Sequence, residues 1–264
     1  MKSRANSGRL ATVHRKTKET DIEVSVNQGI SADLIAEKWG LTRQELDQFS
    51  YDSHLKAGAA REAGRFDSQI VPVEINGADG TAATFTQDEG IRTPPSLERM
   101  ASLAPAFGEG GTATAGNASQ ISDGAAALLL MSRQKAGELG LRPRARLRAT
   151  SVVGSDPLLM LTGPIPATHK VLKRAGMALS DVDVVEINEA FASVVLAWAR
   201  DLEPDMDRVN PNGGAIALGH PLGATGAILL TKLLYELERQ DKAVGLQTMC
   251  VGFGQATAAI LERE

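Results

Sequence analysis

The sequence has 264 residues, 43% of them hydrophobic and 23% charged, which is enough for one large packed domain or two small ones. A formal net charge of −4 excludes general adhesion to nucleic acid or an acidic membrane, and aromatic residues at 4% leave little for base-stacking platforms. The single cysteine, Cys250, excludes an internal disulfide and thiolate zinc spacing, and fits a reducing compartment.

Residues 1–26 are polar and basic, and read as an arm or a weak strand through Ile22, Val24 and Val26. The basic start has no apolar stretch behind it, so no secretory signal is read there. Residues 30–64 are helical: Ser31 is the expected N-cap, Leu34, Ile35 and Trp39 share a face, and Gly40 ends the first helix. Thr42 caps a second helix, with Glu45 completing a capping box and Gly64 as its stop. A strand is predicted through Ile70, Val71, Val73 and Ile75, and a loop from Asp88 to Pro95. The stretch Gly108–Gly116 needs backbone room, and Ala125–Met131 reads as a buried strand or helix start, far too short to span a bilayer.

From Arg144 the chain alternates. Strands are predicted at Arg144–Val153, Val182–Ile187, Ala243–Met249 and Thr257–Leu261, and helices at Pro166–Gly176, Glu189–Arg200 and Leu222–Arg239. Such alternation implies a layered α/β domain. The period-two stripe Arg144, Arg146, Arg148 reads as the wet face of an edge strand. The C-terminus, Leu261–Glu264, is no targeting address, and a cytoplasmic location is expected.

Three segments concentrate chemistry. In Val185-Glu186-Ile187-Asn188-Glu189-Ala190-Phe191 a strand ends at Asn188, where an amide can hold a water or a carbonyl, or simply cap the next helix. In residues 210–226 five glycines surround His220, and a helix starting near Leu222 would set the imidazole at its positive end. In Met249-Cys250-Val251-Gly252-Phe253-Gly254 a strand ends in a thiol followed by glycines whose N–H groups can face an oxyanion; the plainer reading is a buried, inert cysteine.

Together these segments resemble the thiolase family of CoA-dependent acyltransferases. Asn188-Glu189-Ala190-Phe191, Gly219-His220-Pro221 and Cys250-Val251-Gly252-Phe253-Gly254 match its three motifs in order, with 32 residues from Asn188 to His220 and 30 from there to Cys250. Residues 108–122 resemble its CoA-facing segment, and the likeness runs from about residue 29 to 264. The resemblance implies an α/β thiolase-like layered fold, with a mixed five-stranded C-terminal sheet and a mainly helical loop domain. Its implied division is an unmatched arm over 1–26, a loop domain over 27–118, a remnant of the N-terminal domain over 119–141 and the C-terminal domain over 142–264. It also implies roles. Cys250 moves a proton at the α-carbon of acetyl-CoA or at the leaving thiol. His220 activates the acyl-carrying cysteine and donates to the thioester oxygen, and Asn188 holds the water completing that oxyanion hole. The Gly252 N–H serves a second oxyanion hole, and Ser119, Ala115 and Gly116 meet the pantetheine arm. No tightly bound cofactor is implied; coenzyme A and acyl-CoA are substrates, and the implied partner is a second copy or a thiolase N-terminal portion.

The sequence departs from the pattern in one large respect. The family's acyl-carrying cysteine precedes the matched segment, and this sequence has no second cysteine. The chain alone is therefore expected not to form the acyl-enzyme, and to expose an apolar face that favours self-association. Gln28-Gly29-Ile30 resembles the degradative branch, and Phe253 is expected to narrow the pocket. Two rivals remain at this stage: a CoA-ester-binding or assembly subunit without turnover (or a fragment), and a DNA-binding helix-turn-helix at 31–57. Glu45, Asp47 and Asp52 on the second helix argue against the latter, because they would repel phosphates.

Overall fold

Residues 10–16, 21–77 and 80–264 are described by the computed structural model of the chain. Strands β1 (Leu10–Lys16) and β2 (Asp21–Asn27) pair antiparallel, so the weak strand predicted through Ile22, Val24 and Val26 is present; the rest of the predicted arm lies outside the described residues. Helix α1 (Gln28–Lys38) follows at once, because the Asn27 side chain accepts the Gly29 N–H at 2.8 Å and caps it. Ser31 is therefore not the cap. Asn27 has taken that role four residues upstream, and Ser31 lies inside α1, fully buried, its Oγ without a hydrogen-bond partner. Helix α2 (Arg43–Glu62) begins as predicted: Thr42 Oγ1 accepts the Glu45 N–H, and Glu45 accepts the Thr42 N–H at 2.6 Å.

The next strands, β3 (Val73–Asn76) and β4 (Ala82–Phe85), form an exposed hairpin. β3 starts later than the pattern predicts, after Pro72, which has no N–H to give to a ladder. A short helix α3 (Leu97–Ala101) packs on α2. The apolar run Ala125–Met131 forms neither the strand nor the helix predicted. It has no regular secondary structure and is mostly solvent-exposed, with Leu129 at 80%, since none of the described strands pairs with it. Helix α4 (Arg133–Glu138) follows.

The C-terminal layer contains β5 (Ala145–Gly154), α5 (Pro164–Ala175), β6 (Val184–Ile187), α6 (Ala192–Leu202), α7 (Ala215–Leu218), α8 (Thr225–Arg239), β7 (Val244–Val251) and β8 (Gln255–Arg263). Its sheet is mixed, in the order β5-β8-β7-β6, antiparallel except for the parallel β6–β7 pair. Among the described residues it has four strands, not five. The place beyond β6 is reduced to a single parallel bridge from Val209 to Val185, because Asn210 turns into a left-handed conformation (φ 43°) and Pro211 cannot donate. Helices α5 and α6 cover one face, burying Val171, Val195 and Trp198 against Val185, Ile187, Leu246 and Ile260. Helix α8 covers the other, with Leu233 and Leu237 on Val184 and Leu261. The period-two alternation of β6 thus sends residues 185 and 187 to one helical layer and 184 and 186 to the other. Among the described residues no helix is long and apolar enough to cross a membrane.

Two predictions follow from this packing. A Cβ on Gly29 would overlap the Phe107 ring, so Gly29→Ala forces a shift and is expected to cost about 1–3 kcal/mol, read as a fall in chemical-denaturation midpoint. The His54 ring is buried on α2 and accepts the Arg92 N–H at its Nδ1; burial, with the Arg92 charge beside it, pushes the imidazole down to about 4. The unfolded chain then binds more protons than the folded one between about pH 6.5 and 4, so stability held above that window is lost as pH falls through it. Thermal melts across the window should drop more steeply for the wild type than for His54→Gln.

Candidate active site

Asn188 continues β6 instead of capping a helix. Its backbone N–H donates to the Thr248 carbonyl at 3.1 Å, and α6 starts only at Ala192. The helix predicted from Glu189 is delayed because Glu189 and Phe191 are held elsewhere. Ala118 bridges Phe191, and the Glu189 carboxylate accepts from Ser53 Oγ at 2.7 Å, Asn210 Nδ2 at 2.9 Å and the Ile216 N–H at 3.2 Å. The Asn188 side chain is fully buried. Its Nδ2 lies 3.4 Å from His220 Nε2, and its Oδ1 has no hydrogen-bond partner. A buried amide oxygen left open is an acceptor waiting for a donor such as water.

The loop that carries His220 is shaped by close approaches. A Cβ on Gly214 would collide with the Glu189 carboxylate, and Gly219, at φ +92°, sits against Ser122. The His220 N–H donates to the Gln120 carbonyl at 3.0 Å, and His220 Nδ1 lies 2.6 Å from Thr225 Oγ1. Thr225 Oγ1 is also 2.9 Å from the Pro221 carbonyl. The hydroxyl has one proton and two acceptors. Given to Pro221, it leaves Nδ1 protonated and Nε2 as an acceptor facing Asn188. Given to Nδ1, it leaves Nε2 as a donor. Helix α8 starts at Thr225 and not near Leu222, since a turn closed by the Ala224 and Thr225 N–H groups on the Pro221 carbonyl intervenes. His220 therefore precedes α8 by a turn, with its ring bonded to the first helical residue.

Cys250 lies at the end of β7, the strand paired with β6. Ile187 faces Thr248 in that register, so the thiol stands two residues beyond the carbonyl that holds the Asn188 N–H. It is buried among Ala32, Met160, Ala190 and Phe191. Gly252–Gly254 form a single turn in which Phe253 takes φ +67° and stays half exposed. The Gln28 side chain lies against Gly252.

The other predicted residues divide. The Ser119 N–H donates to the Ala190 carbonyl at 3.0 Å, which sets Ser119 between the Asn188 segment and Gln120, the residue bonded to His220. Ala115 and Gly116 lie in a tighter turn, where the Gly116 N–H meets Thr114 Oγ1 and Gly116 packs on Leu103 and Met100. The arginine stripe is ion-paired within its own domain, Arg144 to Glu238 and Arg146 and Arg148 to Glu262. A concavity of about 440 Å3 adjoins His220, lined by residues 122–126 and 221–224. Sequence reasoning missed Glu189, Thr225, Glu186 and Lys232. A glutamate inside the apolar run Val-Val-Glu-Ile, and a lysine on the apolar face of α8, were the signals available.

Fold and site together define a layered α/β protein in which an amide at the end of one strand meets an imidazole of the loop before α8, with a thiol at the end of the neighbouring strand. The chain belongs to the thiolase family: a sequence model of the thiolase N-terminal domain matches residues 3–134, and one of the C-terminal domain matches 141–263. The match reaches further toward the N-terminus than the motifs do. The chain is 53% identical to a steroid 3-ketoacyl-CoA thiolase of Mycobacterium tuberculosis, over 92% of this chain and 58% of that protein. It is 48% identical to a 3-ketoacyl-CoA thiolase of Klebsiella pneumoniae, over 89% of this chain and 62% of that one. Its fold matches the crystal structure of the Bacillus anthracis acetyl-CoA acetyltransferase with a TM-score of 0.87 at 42% identity, over 90% of this chain and 60% of that one. Human mitochondrial 3-ketoacyl-CoA thiolase matches with a TM-score of 0.84 at 36% identity, with the same coverage. The chain thus spans about three fifths of the length of these relatives.

The Asn188–His220 contact makes a direct prediction. Asn188→Asp would set a carboxylate 3.4 Å from Nε2, so the imidazolium gains a partner. The His220 midpoint, followed by NMR titration of the ring, should rise relative to wild type.

Proposed function

We propose that this chain supplies the thiol–imidazole–amide half of a thiolase-type acyltransferase working on CoA thioesters, in the degradative direction: 3-ketoacyl-CoA and CoA to acyl-CoA and acetyl-CoA. The main support is the buried Asn188–His220 pair at 3.4 Å beside the strand that ends in Cys250. Relatives named 3-ketoacyl-CoA thiolase at about half identity point to the same reaction. In that reaction a cysteine thiolate adds to the 3-keto carbon. The bond between C2 and C3 breaks, and its electron pair leaves as the enolate of acetyl-CoA. Cys250 protonates C2 of that enolate, His220 and an Asn188-held water donate to the thioester oxygen, and the Gly252 N–H stabilises the oxyanion at the attacked carbon. CoA then displaces the acyl group from the cysteine. Ser119, with Ala115 and Gly116 beyond it, meets the pantetheine arm. The work divides among a loop domain over 27–118, a piece of N-terminal domain over 119–141 and the C-terminal domain over 142–264. The setting is cytoplasmic, no tightly bound cofactor is used, and the chain works as an oligomer with itself or with a thiolase N-terminal portion.

One observation favours a second reading. Cys250 is the one cysteine in these 264 residues, so the acyl-carrying thiol must come from elsewhere; without it the chain is a CoA-ester-binding or assembly subunit. Calorimetry with acetoacetyl-CoA, together with a thiolysis assay of the chain alone and mixed with a full-length thiolase, separates the cases. Binding is expected to weaken roughly tenfold in His220→Ala, the loss of one good hydrogen bond. No turnover is expected from the chain alone. Turnover that disappears in Cys250→Ala would overturn the view that the nucleophile lies elsewhere. Absence of any binding would overturn the CoA-ester assignment itself.

A further inference from the structure

Two separate elements must meet for Asn188 and His220 to touch; Asn210 joins them at the start of the loop, and one side chain of α8 joins them nearer His220. Lys232 lies in the middle of α8, with its Nζ 2.8 Å from Glu186 Oε2 and 2.6 Å from the Gly213 carbonyl, to which it also donates. Glu186 precedes Asn188 by two residues on β6, so the two share the face toward α8. Gly213 opens the glycine-rich stretch that reaches His220 seven residues later. Both partners are out of solvent, Lys232 at 5% exposure and Glu186 at 0%.

Packing alone is a poor reason for this arrangement. The buried face of α8 also carries Leu229, Leu233 and Leu237, with Thr225 and Glu236 as its other polar members, both bonded to the loop that holds His220. A buried ion pair is commonly no better for stability than apolar side chains of the same size. The geometry is also incomplete as a charge pair: Glu186 Oε1 has no hydrogen-bond partner, and burial pushes the carboxyl up to about 7 against the pull of Lys232. What the ammonium does that an apolar side chain cannot is bond a strand and a loop at once. The loop is held from a second side as well, through Asn212, which donates to Glu236 at 2.8 Å and accepts from Arg65 at 2.8 Å. It would therefore stay folded without Lys232, and Asn210, bonded to both the N–H and the carbonyl of Ile187 at 2.9 Å, would still tie its start to β6; the Gly213 end, nearer His220, would lose its own tie to the strand.

We propose that Lys232 is a positioning residue, fixing the strand that bears Asn188 against the loop that bears His220 so that amide and imidazole meet. The proposal rests on the reading of these two residues as one site, and it needs no turnover to be tested. The full chain, labelled with nitrogen-15, reports the His220 ring resonances directly, assigned by their loss in His220→Gln; circular dichroism reports the thermal midpoint. Lys232→Met should lower the midpoint by several degrees and displace the His220 ring signals. The double variant Lys232→Met with Glu186→Leu removes both buried charges and should recover the midpoint while the ring signals stay displaced. Return of those signals to their wild-type positions in the double variant would overturn the proposal, since any well-packed pair would then serve. Should both variants fail to fold, Glu186→Gln decides. It keeps an acceptor for Lys232, so wild-type ring signals are expected, and signals displaced there would mean that charge and not position is the link. Failure of the CoA-ester reading would show differently, as absent acetoacetyl-CoA binding with the ring signals still responding to Lys232.

Discussion

The carboxylate of Glu189 is shared by three stretches of chain that are far apart in sequence: Ser53 on α2, Asn210 after the Val209 bridge, and the Ile216 N–H at the start of α7. Glu189 is almost fully buried, and a carboxylate out of water is tolerable only when its oxygens are hydrogen-bonded. Each such charge-assisted bond contributes about 1.5–3 kcal/mol net, and leaving one unmade costs a comparable amount. The fold can therefore satisfy Glu189 only when helix, strand end and loop are all in place. The same constraint explains Gly214, where any side chain would occupy the carboxylate's space.

From this joint the site geometry follows outward. Asn188 and Ala190 flank Glu189, so holding the carboxylate also holds the amide that faces His220 and the carbonyl that receives the Ser119 N–H. Ser53 comes from the helical pair, and Asp47 on the same helix accepts from Asn117 at 2.9 Å. The helices thus brace the segment leading to Ser119 as well as the strand end. The contact between Asn188 and His220 thus owes its geometry in part to a helix that takes no part in it.

Much of this is visible in the residues alone, where the governing physics is local. The Thr42–Glu45 capping box and the strand–helix alternation after Arg144 are short-range patterns, and both are found as predicted. The three glycine- and polar-rich motifs stand out in the sequence, and part of that signal is packing, as Gly214 and Gly219 show. Where longer-range partners decide, local reading fails. Ser31 loses the capping role to Asn27, Asn188 is kept in the ladder by Thr248, and Ala125–Met131 has the composition of buried structure but no described neighbour to bury it. Glu186 and Lys232 are conspicuous as charges within apolar surroundings, yet 46 residues separate them, and nothing in either segment names the other.

Strand β5 forms one margin of the sheet, pairing on one side with β8 alone. Margins of this kind invite another chain to dock its own backbone there. Here the exposed side of the strand carries Arg144, Arg146 and Arg148, each locked to a glutamate of the neighbouring helix or strand. A stranger laid along it would meet that row of guanidinium groups beside the open backbone. A row of charge beside an open strand makes this border a poor template for runaway stacking of one molecule on the next.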